Sequence, residues 1–140
     1  PPRSTLFPYT TLFRSRYEKR LLERFGLSCY GCCEPLDAKM DIVRGIANLR
    51  RVSMSPWVDL ERAAAAVGRD YVFTHKPNPA IVSMEGWHPD LARAQLTEAL
   101  EKTRDNVVEI ALQDLHTVRG EPHRLDDWSR IALELAERYA

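Results

Sequence analysis

Apolar residues along this chain alternate between two spacings, and the changes of spacing mark its elements. Short apolar or β-branched runs cover 27–31, 51–55, 71–75 and 107–112, each of a length suited to a buried strand. Helical spacing lies before and between them. Tyr17, Leu21, Leu22 and Phe25 predict a first helix ending at Gly26. Leu36, Met40, Val43 and Ala47 predict a second. Leu60, Ala63, Ala64 and Val67 predict a third, with Asp59 as its N-cap and Gly68 as its stop. A longer connection, Lys76 to Trp87, precedes a helix with Pro89 in its first turn and a stripe of Ala92, Leu96, Ala99 and Leu100. The clearest helix is the last, where Trp128, Ile131, Ala132, Leu135, Ala136 and Tyr139 share one face.

Strands starting near 27, 51, 71 and 107 with helices between them make four βα units. The class is α/β, with parallel strands and right-handed crossovers. Four units suit a small open sheet or half of an eight-stranded (β/α)8 TIM barrel. The long loop after the third strand and the unusual start of the chain favour the C-terminal half of such a barrel. An isolated half would leave two strand edges unpaired.

Residues 1–15, PPRSTLFPYTTLFRS, contain no acidic residue, no heptad and no signal-peptide layout. They resemble a translated sequencing adapter, so they are read as a non-native leader and the domain as 16–140. On that reading the natural N-terminal part is missing. The full chain of 140 residues carries 20 basic and 20 acidic side chains, and without Arg3 and Arg14 the basic count falls to 18. No basic stripe suits nucleic acid, and no polybasic patch suits a membrane surface. No apolar run approaches the ~20 residues that span a bilayer. Cys29, Cys32 and Cys33 are clustered and no secretory signal is visible, which points to a reducing, cytoplasmic setting.

Every strand delivers polar groups to its carboxyl end: Cys32, Cys33 and Glu34; then Ser53, Ser55 and Trp57; then His75, Lys76 and Asn78; then Asp114, His116, Thr117 and Arg119. On a barrel these ends converge. Cys32 or Cys33, Glu34 and His116 could supply three zinc ligands with one position open. Small cysteines packed at a tight strand end are the alternative. Cys29-x-x-Cys32 has the form of a redox motif, but Cys29 falls inside the strand, so a buried structural thiol is expected there. His75, Lys76, His116 and Arg119 could handle a carboxylated substrate, or lie as solvated loop residues.

The order Tyr30-Gly31-Cys32-Cys33-Glu34-Pro35, SPWVDLERAAAAVG, DYVFTHKPNPA and ALQDLHTV resembles the C-terminal half of the uroporphyrinogen decarboxylase-like superfamily. That superfamily includes a tetrapyrrole decarboxylase and zinc-dependent corrinoid methyltransferases on a (β/α)8 barrel. The resemblance aligns Cys32 with the cysteine of a His-x-Cys-Gly zinc motif, although Tyr30 and Cys33 stand at its histidine and glycine. It places His116 near the second zinc cysteine of the methyltransferases and at the histidine of the decarboxylase's Gly-His-Gly. Asn78-Pro79 matches a family turn. The resemblance thus implies Cys32, Cys33, Glu34 and His116 as an altered metal set, with His116 and Glu34 catalytic. It places His75, Lys76, Asn78 and Arg119 at the substrate. It implies zinc and a corrinoid as cofactors, and as partners the missing N-terminal half of the barrel and a corrinoid protein. The expected function is a zinc-dependent, corrinoid-linked methyltransferase. The alternatives are a decarboxylase of a carboxylated tetrapyrrole and a non-catalytic tetrapyrrole-binding protein.

If residues 1–15 are a foreign leader, deleting them leaves the thermal midpoint and the soluble yield unchanged. A clear fall in either, measured on the truncated chain, would show that they belong to the fold.

Overall fold

The computed structural model describes residues 16–31 and 33–140. The leader and Cys32 lie outside them. Residues 16–22 form helix α1. There follow β1 (Ser28–Gly31), α2 (Met40–Val43), β2 (Leu49–Met54), α3 (Leu60–Val67), β3 (Val72–His75), α4 (Ala80–Ser83), α5 (Pro89–Lys102), β4 (Val107–Ile110) and α6 (His123–Tyr139). The four strands make one sheet in the order β1-β2-β3-β4, every neighbouring pair parallel, as the βα alternation predicts.

Register decides which residues share a face. Tyr30, Val52, Phe73 and Val108 form one row across the sheet, and Met54, His75 and Ile110 point the same way. This face carries the core. Val52, Met54 and Phe73 pack with Leu36, Met40 and Val43 around α2 and with Ala63 and Val67 of α3. Val108 and Ile110 join a second cluster with Val82 of α4, Leu96 of α5 and Trp128, Ile131 and Leu135 of α6. Val108 touches both clusters. The other face holds Cys29, Arg51, Val72 and Val107 in one row and Gly31, Ser53, Thr74 and Glu109 in the next. There Arg51 reaches past β3 to pair with Glu109 at 3.2 Å, and the Thr74 hydroxyl donates to the same carboxylate.

Gly31 is required by close approach, because a Cβ on it would fall on the carbonyl and Cβ of Ser53. Asp59 caps α3 by accepting from the Arg62 amide at 3.0 Å, and Gly68 ends it with φ +56. Two asparagines fasten the amino ends of the strands. Asn48, just before β2, donates to the carbonyls of Leu22 and Phe25 at the end of α1, and its own oxygens accept from Ser28. Asn106, just before β4, does the same for Ala64 and Gly68 at the end of α3.

Several boundaries differ from the sequence pattern. The first helix stops at 22 rather than near Gly26, because Asn48 takes its terminal carbonyls. The helix expected from Leu36 shrinks to Met40–Val43, since Gly45 and Ile46 bond three residues back and tighten the chain into turns. Leu27 is exposed, not part of a buried strand, and β1 starts at Ser28. A short helix, α4, interrupts the loop after β3.

Arg124 at the start of α6 is 1% exposed. It donates to the carbonyls of Val82 and Met84 and pairs with Glu121 at 3.0 Å, fixing α6 to α4. Arg124→Met leaves those buried acceptors without donors and is expected to cost about 3 kcal/mol. Glu121→Gln, on an exposed partner, should cost much less. Urea denaturation of both variants checks this, and equal losses would count against Arg124 as the anchor.

Candidate functional site at the carboxyl ends of the strands

β1 and β4 are the two edge strands, separated by three strand spacings of ~4.8 Å, or about 14 Å. Their following loops nevertheless meet: Cys33 Sγ lies 4.0 Å from Asp114 Oδ2. Asp114 adopts φ +58 at this point. Between the two edges, the ends of β2 and β3 supply Ser55, fully buried, and His75 and Lys76, which are 6% and 4% exposed. The loop after β1 is itself pinned. Glu34 accepts from Lys39 at 2.6 Å, and buried Asp37 is paired with Arg62 of α3.

The predicted site residues separate into those that converge and those with other work. Cys33 meets Asp114, and both Cys33 and His116 are exposed. Glu34 is neutralised by Lys39. The Asn78 side chain accepts from the Ala80 amide and starts α4. Arg119, at φ +58, donates from Nε to the Ser83 carbonyl at 3.0 Å, which ties the loop after β4 to the end of α4. Trp57 is exposed, and the Trp87 indole N–H donates to Asp127.

A zinc site needs its donor atoms within roughly 4 Å of one another. Among the described residues, no group of three or more His, Cys, Asp or Glu side chains could hold a metal ion. Cys33, Glu34 and His116 as placed do not fit one, and Cys32 lies outside the described residues. Cys29 corrects an expectation: it is exposed on the polar face of the sheet, not buried. Desolvation still raises its thiol above the ordinary value, with the Arg51 charge opposing. At neutral pH it is therefore a protonated thiol rather than a nucleophile.

His75 lies on the core face, and neither ring nitrogen has a hydrogen-bond partner. Burial pushes its pKa down to about 4. The sequence placed His75 with the substrate-binding residues, because nothing in Thr74-His75-Lys76 shows which face each residue takes until register is known. Comparison of the chain with protein-family models, with curated proteins and with solved structures returns no match. Among the described residues, no helix is long and apolar enough to cross a membrane.

The His75 environment fixes a pH dependence. The folded pKa lies below the value of about 6.5 expected when unfolded, so between those values the unfolded chain holds a proton that the folded chain does not. The contribution is fully present above pH ~6.5 and is lost as pH falls towards ~4, by up to about 3 kcal/mol. His75→Leu should flatten this part of the curve. Stability of the two proteins measured across that range tests it, and parallel curves would refute it.

Proposed function

We propose that this chain is the C-terminal half of a (β/α)8 barrel of the uroporphyrinogen decarboxylase-like superfamily. Its site lies at the carboxyl ends of the strands and receives a carboxylated substrate, with decarboxylation as the reaction class. Chain-order parallel pairing, with the described helical packing gathered on one face, supports the barrel. One observation carries the choice of chemistry. Three cationic or proton-bearing side chains, Lys76, His116 and Arg119, follow β3 and β4 at their carboxyl ends, where the loops after β1 and β4 meet.

Decarboxylation breaks a carbon–carbon bond, leaves the electron pair on the substrate as carbon dioxide departs, and puts a proton in its place. Lys76 and Arg119 hold carboxylates of such a substrate, and exposed His116 holds and moves a proton. The cytoplasm suits a substrate of this kind and three clustered thiols. A second reading, the zinc-dependent and corrinoid-linked methyltransferase, is favoured by the approach of the Cys33 thiol to the Asp114 carboxylate from opposite edges.

Absorption titration of the chain with a carboxylated porphyrin separates the readings. Saturable binding is expected, weakened at least ~10-fold by Lys76→Met, a loss of about 1.4 kcal/mol. His116→Ala should leave binding closer to wild type. Stoichiometric zinc by elemental analysis, with no porphyrin binding, would replace the decarboxylase reading with the methyltransferase one.

A further inference from the structure

We propose that Arg51 is a further substrate-anchoring residue, set deep in the barrel interior, and that Glu109 occupies its guanidinium until a substrate carboxylate takes that place. The inference rests on the reading of a half barrel that receives a carboxylated substrate. It narrows that substrate to a polyacid whose carboxylates are held at two depths, by Lys76 near the strand ends and by Arg51 below.

Register, not exposure, fixes the face. Helices pack on the side of Val52, Phe73 and Val108, so in a (β/α)8 barrel the opposite side lines the interior. Arg51 stands on that side in the row of Cys29, and Thr74 and Glu109 stand in the next row towards the carboxyl ends. Lys76, two residues beyond Thr74, returns to the same side one row higher, about 7 Å along the strand. Electrostatics agree with this placement, because the charges of Arg51, Glu109 and Lys76 all act on the Cys29 thiol. Barrel interiors are ordinarily filled by bulky branched side chains. Here the middle row is Gly31, Ser53, Thr74 and Glu109. Three of those four are small, so this half of the wall fills little of the space between Arg51 and Lys76.

The ion pair is only partly made. A guanidinium and a carboxylate can form two parallel hydrogen bonds. Arg51 approaches Glu109 through Nη1, at 3.2 Å from Oε1, and that same oxygen already accepts from the Thr74 hydroxyl. Among the described residues, no other carboxylate pairs with the Arg51 guanidinium. Arg51 and Lys76 against Glu109 leave one positive charge over on this face. A polyacid supplies what is missing. One of its carboxylates takes both donors of the Arg51 fork, a second meets Lys76, and Glu109 stays held by Thr74.

Two titrations of the full chain test this, one with a carboxylated porphyrin followed by absorption, the other with citrate followed by calorimetry. Citrate is a polyacid unrelated to tetrapyrroles. Arg51→Met should weaken porphyrin binding at least ~10-fold, and Arg51→Lys, which keeps the charge but loses the fork, should recover part of it. Glu109→Gln should tighten binding about 3-fold, because the competing carboxylate is gone. Damage to the fold lowers affinity and cannot raise it, so this gain separates an exchange from a structural tie. Unchanged or weaker binding by Glu109→Gln overturns the exchange. Porphyrin binding that depends on Lys76 but not on Arg51 overturns this inference and leaves the decarboxylase reading standing. Citrate binding that depends on Arg51, without porphyrin binding, faults a tetrapyrrole as the substrate and leaves Arg51 in its role. Binding of neither overturns both.

Discussion

Parallel pairing in chain order is the constraint on which the rest depends. Each right-handed crossover returns its helix to the same side when the next strand is always added at the same edge. The apolar row of Tyr30, Val52, Phe73 and Val108 therefore gathers all the helical packing, in two clusters joined at Val108. On the opposite face Arg51, Thr74 and Glu109 satisfy one another across three strands. A sheet wound in both directions would need a continuous apolar surface on both faces, and here the second face mixes Val72 and Val107 with Arg51, Thr74 and Glu109.

The same constraint shapes the site. Strand ends lie side by side, so only loops can join the outermost two, and the Cys33–Asp114 approach shows them doing so above the ends of β2 and β3. Under those loops the sheet carries groups of different character only one residue apart. His75 is neutral and faces the helices, while Lys76 follows it at the rim. The charged partners nearby are committed: Glu34 to Lys39, Asp37 to Arg62.

Elements with strong periodicity were legible. Asp59, Gly68, Pro89 and the stripe Trp128, Ile131, Ala132, Leu135 did what their residue types require. The failures have one physical cause, tertiary hydrogen bonding that overrides local spacing. The end of α1 is set by a side chain more than twenty residues away, and no local pattern in Phe25-Gly26 reveals it. Cys29 was misplaced because an apolar neighbourhood suggested burial on both faces, whereas one face of this sheet is polar. Arg124 went unremarked because an arginine at a helix start reads as solvated, and only the carbonyls of Val82 and Met84 reveal its role. For the site, residue types were readable and partnerships were not. Glu34 offers its charge to Lys39 five positions on, an option the sequence contains but does not select.

Asn48 and Asn106 have a consequence for the order in which the chain acquires structure. Each stands immediately ahead of a strand and closes a helix that ended well upstream, Asn106 reaching back 38 residues to Gly68. During synthesis on a ribosome, α3 would emerge with Ala64 already accepting from the Gly68 amide, but with the Asn106 bonds to Ala64 and Gly68 unmade until the start of β4 had followed. The last turn of each such helix is thus completed by a later unit, and the growing chain commits to its earlier segments only after the next-but-one strand is made.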